Sequence, residues 1–428
     1  MRLPEKIAGP LKKLRETGFG HLVGSSVINK VLSFACSFLL IRIIPKEEYG
    51  IYANADNLLG LFCLLEGFGM TSTFLQFGCT NEGEKRQAIW AYCFFIAIAF
   101  QVLISFVVLF TSLFVPIKIA GTNVLLALMA FLPIPRLIRD MQQVYLRTEQ
   151  KNKEYAYSNT FSTITSVVLS CSLSIIFHAK GLILAGYITS IITIAFIWVK
   201  GNVHVPSITH RFDLEKSERR RILKFSVVCV INNSTSSLMH LLDTFILGIV
   251  IASSTVTASY KVASKIPTAL AFIPTCLMTY IYPYFAKHKD DGKWCLTNYK
   301  KVICGFGLFN LAVAGILVAF APTVIRIIFG VQYLDAIIPF RLLCVNYALQ
   351  ATFTISGQLI VSQEKLLFNT LMGIVSGMLN TALNLVLIPQ YASAGAAIAT
   401  VATTTIIGIV STAYLTKLFI RNMTKVVS

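Results

Sequence analysis

The sequence predicts an all-α polytopic membrane protein of about twelve transmembrane helices. They form two six-helix lobes related by a parallel pseudo-two-fold around a central cavity. Three observations carry this expectation. First, 55% of the 428 residues are hydrophobic and only 13% are charged, about half the charged share of an ordinary soluble domain; the mean hydropathy is +0.71. Second, apolar runs of about 20 residues, the length that crosses the hydrocarbon core as a helix, recur along the chain. Third, the two halves of the sequence echo each other.

The chain opens on MRLPEKIAGPLKKLRETGFGHLVG. This stretch is basic and amphipathic and lacks the small-residue cleavage site of a signal peptide, so residues 1–21 are expected to lie at the cytosolic interface. An N-terminal lobe over 22–200 follows, with spans at 22–44, 49–71, 88–114, 122–146, 155–178 and 181–200. The second and fourth are the least clean. Residues 69–87 offer the second an amphipathic tail, and Pro133 and Pro135 predict a break or kink in the fourth. The longest hydrophilic segment, GNVHVPSITHRFDLEKSERRRIL (201–223), is expected to be a basic cytosolic linker. A C-terminal lobe over 224–416 holds spans at 224–251, 257–285, 301–325, 335–359, 366–388 and 394–416, and residues 417–428 form a cytosolic tail.

Lysine and arginine set the orientation, because loops rich in them stay in the cytosol. With the N-terminus inside, the inner segments hold 26 of the 37 cations. Arg219, Arg220 and Arg221 in the linker and Lys287, Lys289 and Lys293 after the eighth span are examples. The outer loops hold only Lys46, Lys118, Lys180 and Arg326. Both termini are therefore expected in the cytoplasm. This asymmetry accounts for most of the +18 formal charge as topology and contact with anionic membrane lipids, and no nucleic-acid partner is needed. The outer loops are short and leave no room for an extramembrane catalytic domain. The ten cysteines are scattered, without a C-x-x-C pair or metal spacing, and read as small buried hydrophobes; no metal and no cofactor is expected.

The internal echo appears as four matches in order. Tyr52 falls on Tyr260, and Pro116 falls on Pro322. The stretch YLRTEQKNKEYAYSNT (145–160) falls on QLIVSQEKLLFNTLMG (358–373), and GLILAGY (181–187) falls on GAAIATV (395–401). The offsets lie close to half the chain length. Six spans per half is an even number, so both halves enter the membrane in the same sense, and the repeat is parallel. Duplicated lobes with buried charge are the expectation for a transporter working by alternating access.

The residues also resemble a known family. The segments are GVQYLDAIIPFRLL (330–343), VSQEKLLFNTLMGIVSGMLNTALNLVLIPQYASAGAAIATV (361–401), IRIIPKEEYGIYANADNLLGLFCLLEGFGM (41–70), LLDTFILG (241–248), SYKVASKI (259–266) and YLRTEQKNKEYA (145–156). They look like the polysaccharide flippases of the multidrug/oligosaccharidyl-lipid/polysaccharide exporter superfamily. The resemblance implies a flippase that moves an undecaprenyl-pyrophosphate-linked oligosaccharide across the bacterial inner membrane, for O-antigen, capsule or related surface glycans. It implies no enzymatic motif. A monomer suffices, and other surface-glycan assembly proteins are candidate partners.

Seven cations remain inside the spans: Lys30, Arg42, Arg136, Arg139, Lys261, Lys265 and Arg341. Four acids share that zone: Asp56, Glu66, Asp140 and Asp243. Ionisable groups at such depth face a bundle interior or a wet cavity. The seven cations are the candidate contacts for a pyrophosphate, which lysine meets as a point charge and arginine as a two-pronged donor. Asp56, Asp243 and Asp140 are candidates for charge balance or for coupling to H+ or Na+. Blander readings stand beside these. Arg42 lies near a span end and has room to snorkel, Arg136 and Asp140 are spaced to pair on one helix face, and Glu66 sits near the interface. Lys261 and Lys265, also four apart, share a face of the eighth span. Two rival functions remain: a cation-coupled multidrug antiporter of the same fold, whose cavity should be acidic and aromatic, and an integral-membrane glycan polymerase or glycosyltransferase.

Overall fold

The computed structural model describes residues 19–207 and 214–425, and every element among them is helical. Residues 1–18 of the expected interfacial segment lie outside the described residues, as do 208–213 of the linker. The chain divides into two compact units, Met1–Ser237 and Leu238–Ser428.

In the first unit, α1 (Phe19–Ile43) stops ahead of Pro45, which stands just before α2 (Lys46–Phe62). Glu47 and Glu48 occupy the first turn of α2, where acids suit the positive end of the helix dipole. The second expected span is then interrupted. Across Cys63–Gly69 the backbone turns through three residues of positive φ, Gly67, Phe68 and Gly69, before α3 (Met70–Cys79) resumes. The Gly67 N–H, released from the helix ladder, donates to Gln101 Oε1 at 3.1 Å. At Gly69 a Cβ would stand 2.7 Å from the Ser226 carbonyl oxygen, so both the turn and the close approach require glycine.

α4 (Gly83–Phe114) is a long apolar helix. The fourth expected span is split as its prolines predict: α5 (Thr122–Met129) ends, the chain turns, and α6 (Pro133–Thr148) starts on Pro133. The turn is closed by Ala130 N–H to Ala127 O and Leu132 N–H to Met129 O. α7 (Asn152–Gly201) is 50 residues long and breaks at His178 (φ 48°, ψ −124°). Its two arms cover the fifth and sixth expected spans, and α1 packs along it.

Helix α8 (Lys216–Val250) contributes to both units. The second unit continues with α9 (Ser254–Leu270), α10 (Phe272–Lys287) and α11 (Gly292–Ala319). After the short α12 (Ala321–Val324), a π turn over Ile325–Phe329 and a 3-10 turn over Val331–Ala336 lead into α13 (Ile337–Ser362). The last helix, α14 (Leu366–Lys425), runs for 60 residues and breaks at Ala392 (φ 47°, ψ −125°). Buried hydroxyls and amides tie α11, α13 and α14 together. The Tyr347 hydroxyl donates to Asn310 Oδ1 at 2.9 Å, and Tyr299 meets Ser356 at 2.7 Å, which in turn meets Thr412 at 3.0 Å.

Among the described residues, seven helical runs are long and apolar enough to cross a membrane. Two of these, over Asn152–Gly201 and Leu367–Met423, far exceed the roughly 20 residues one crossing needs, and each folds back at its single break. The outer surface is apolar in the manner of a lipid-facing one: Leu113, Phe114, Ile176, Leu367 and Met378 are all exposed. A multi-pass membrane protein meets these observations; a water-soluble helical bundle would hide such side chains.

Candidate transport site

The most completely built polar site lies inside the second unit. Asp243, on α8, is 6% exposed. Its Oδ2 accepts from the Tyr260 hydroxyl at 2.8 Å and from the Thr400 hydroxyl at 2.9 Å. Its Oδ1 accepts from Asn384 Nδ2 at 2.7 Å, and the same amide nitrogen reaches Asn380 Oδ1 at 3.0 Å. Three neutral groups thus converge on one buried carboxyl group in place of water, with the single Thr400 hydroxyl proton shared between Asp243 and the Ala396 carbonyl at 2.9 Å. Helix geometry explains the convergence. Asn380 and Asn384 are one turn apart on the first arm of α14, Thr400 follows the Ala392 break, and Tyr260 lies on the buried face of α9. Asn384 Oδ1, also buried, has no hydrogen-bond partner.

Lys261 and Lys265 flank this site on α9. Tyr260, Val262, Ala263 and Ile266 are buried, whereas Lys261, Ser264 and Lys265 form a half-buried stripe at helical spacing. The α9 helix thus turns one face toward Asp243 and carries both lysines along its flank. Arg341, in the first turns of α13, is exposed, and its Nε donates to the Val318 carbonyl at 3.2 Å. It therefore caps a carbonyl near the C-terminal end of α11, where a cation suits the dipole.

The first unit holds the other candidates. Asn54 and Asn57 are buried while Asp56, between them, is exposed. Asn54 donates to the Thr122 hydroxyl at 3.2 Å, so the amides anchor α2 and the acid points away. The α6 charges pair differently from the i, i+4 expectation: Asp140 Oδ1 is held by its neighbour Arg139, with Nη2 at 2.7 Å and Nε at 2.8 Å. Arg136 and Arg139 both lie within electrostatic reach of Glu66. Glu66 sits on the helix break, and its Oε1 is buried without a hydrogen-bond partner. Glu66 is half-buried there. Lys30 and Arg42 are exposed on α1, Arg42 in the last turn.

Sequence reasoning singles out Asp243 but not the residues the structure gathers around it, Tyr260, Asn380, Asn384 and Thr400. None of these carries charge, and they lie up to 157 residues from Asp243. The GLILAGY/GAAIATV echo does point at the α14 arm that supplies Thr400. No cluster of histidine, cysteine or carboxylate side chains able to hold a metal occurs among the described residues. Cys36 and Cys171 approach at 3.9 Å as free thiols.

Long helices folded back at single breaks, apolar outer faces and a buried carboxyl group inside one unit define a polytopic helical membrane protein. The chain belongs to the polysaccharide biosynthesis protein family, whose model matches residues 39–338. Solved structures agree on the fold. A lipid II flippase MurJ in an inward closed conformation superposes with TM-score 0.72 at 14% identity, covering 94% of this chain and 89% of that one. An inward-facing multidrug resistance MATE transporter superposes with TM-score 0.71 at 14% identity, over 92% and 95%. A transporter of the same superfamily from Pyrococcus furiosus, described for the reverse polarity of its binding pocket, gives 0.59 at 15% identity, over 96% of each chain. No curated protein matches the chain in sequence.

Proposed function

We propose that the chain is a flippase. It moves an undecaprenyl-pyrophosphate-linked oligosaccharide from the inner to the outer leaflet of the bacterial inner membrane by alternating access, for O-antigen or other surface polysaccharide assembly. Twelve crossings in two six-helix lobes, with both termini cytoplasmic, belong to the same proposal. The observation that carries it is the sign of the intramembrane charge in a polysaccharide biosynthesis family member: seven cations against four acids. A pyrophosphate diester leaving water needs cationic partners, and Lys30, Arg42, Lys261, Lys265, Arg136, Arg139 and Arg341 are the candidates. The likeness to a lipid II flippase supports a lipid-linked cargo.

Asp243 is the proposed coupling group. A proton on its carboxylate neutralises it. A monovalent cation would find oxygens at Asp243, Asn380, Thr400 and the unpartnered Asn384 Oδ1, a donor set suited to a hard ion such as Na+. Asp56 and Asp140 are the other acids available for charge balance. Moving two negative charges outward across an inside-negative membrane releases up to ~4.6 kcal/mol per 100 mV.

The equally good likeness to a multidrug transporter supports the alternative of a cation-coupled drug antiporter. Reconstitution separates the two. In proteoliposomes the wild-type chain should deliver a fluorescent polyprenyl-pyrophosphate saccharide to the opposite leaflet, and the triple variant Lys30→Gln, Lys261→Gln, Lys265→Gln should lose that activity while inserting normally. Unchanged flipping by the triple variant, or drug-driven ion exchange without flipping, refutes the flippase reading.

A further inference from the structure

A second site lies wholly within the first unit, where α3 ends and α8 begins. There a cavity of about 650 Å³ opens between the two helices and the start of α4. Its charged wall is Lys85, Glu218, Arg221 and Lys224. Lys85 is already paired, its Nζ 2.5 Å from Glu218 Oε1. Arg221 and Lys224 form no ion pair among the described residues, and both are exposed. Arg221 is held instead by stacking, its guanidinium carbon 5.6 Å from the centre of the Phe77 ring. The opposite wall is apolar. Phe77 and Phe225 meet edge to face at 5.5 Å, Ile89 and Ile222 close the base, and Val228 forms a 62% exposed apolar rim.

Two of the polar side chains between these walls are committed to backbone carbonyls. Asn81 Nδ2 donates to the Phe77 carbonyl at 2.8 Å, and the Thr80 hydroxyl to the Phe77 and Gln76 carbonyls. The cavity therefore offers net positive charge at one end and hydrocarbon at the other, with few free donors for a sugar. Along α8, Arg221 and Val228 lie seven residues apart, or ~10 Å at 1.5 Å per residue. That separation matches the step from a lipid phosphate to the first methylenes of its acyl chains.

We propose that this cavity binds an anionic phospholipid, its phosphate between Arg221 and Lys224 and its upper acyl chain along Phe225 and Val228. The lipid comes from the leaflet on the side where α8 begins, the side expected to be cytosolic. The site is independent of the cargo and stands whether or not the chain is a flippase. A lipid seated here bridges the end of α3 to the start of α8 and braces the two helices against each other.

The full-length chain purified in mild detergent tests this by native mass spectrometry during titration with phosphatidylglycerol. The Arg221→Gln, Lys224→Gln double variant should bind phosphatidylglycerol about 30-fold more weakly, each cation near an anionic surface being worth about fivefold. Val228→Ser, which removes apolar surface without adding charge, should weaken the lipid while leaving inorganic phosphate binding unchanged, and Lys293→Gln, a cation of the second unit, should change neither. Equal melting temperatures among the variants keep the comparison valid, and Arg221→Lys, a milder change, supplies the comparison where the double variant fails to fold. Undiminished phosphatidylglycerol binding by the double variant, or by Arg221→Lys and Val228→Ser together, overturns the proposal. Displacement of phosphatidylglycerol by inorganic phosphate at equal concentration overturns the lipid assignment, as does selective binding of undecaprenyl pyrophosphate over phosphatidylglycerol.

Discussion

Asp243 is a carboxylate that water barely reaches, held by a phenol, an alcohol and an amide. Removing a donor and removing the acceptor should therefore have different consequences. Tyr260→Phe deletes one hydrogen bond to a charged group and leaves the other two, which should cost about 1.5–3 kcal/mol of stability. A melting measurement on the detergent-purified protein reads this directly. Asp243→Asn keeps the shape but sets an amide nitrogen against donors, so the network must rearrange. Transport should fall by more than about tenfold, the effect of a single lost charge worth 1.4 kcal/mol or more, and whatever activity survives should lose its dependence on external Na+ or pH. An Asp243→Asn variant with unaltered ion dependence would remove Asp243 from the coupling role. Among the cations, the Arg341 guanidinium is engaged by the Val318 carbonyl and that of Arg139 by Asp140.

At the scale of elements, the two longest helices break in the same way. His178 and Ala392 have φ/ψ of 48°/−124° and 47°/−125° and lie 214 residues apart, the offset at which GLILAGY and GAAIATV align. Three residues after each break stands a glycine whose Cβ would run into a backbone carbonyl, Leu173 for Gly181 and Leu387 for Gly395. The chain folds back so tightly that only hydrogen fits. An L-residue pays about 1–2 kcal/mol in a left-handed conformation, so Ala392→Gly should raise the melting temperature. Gly395→Ala should lower it or abolish folding, whereas Gly377→Ala, with open space around it, should be neutral or slightly stabilising. Thermal-shift traces of the three variants check this, and a stable Gly395→Ala protein would contradict the geometry. In the sequence these breaks coincide with the gaps between expected spans 155–178 and 181–200, and 366–388 and 394–416, and with the echo. Proline announces the α5–α6 turn because it removes a backbone donor, but no residue type announces the left-handed turns at His178 and Ala392. Neither histidine nor alanine prefers that conformation; the packing of the arms imposes it. The α2–α3 break is likewise visible only as an unclean span, and its consequence, a Glu66 Oε1 buried without a hydrogen-bond partner, is not visible at all.

For the whole molecule, charge bias predicts orientation. A fluorescent protein fused after Ser428 should fluoresce and alkaline phosphatase fused there should be inactive, because both report a cytosolic C-terminus; active phosphatase would invert the topology. What the sequence by itself determined is the set of properties that depend on local sums. Hydropathy over some 20 residues marks the apolar runs, lysine and arginine counts set the expected sides, and subtraction leaves a short set of charges expected inside the spans that contains Asp243, Lys261 and Lys265. Tertiary structure alone decided which of those charges is sealed in a hydrogen-bond network, which is half-buried on a helix flank and which caps a helix end. Those outcomes depend on pairings between residues 17 to 157 positions apart. They are made by neutral amides and hydroxyls that carry no signal in composition or charge, and they exist only once the helices have packed.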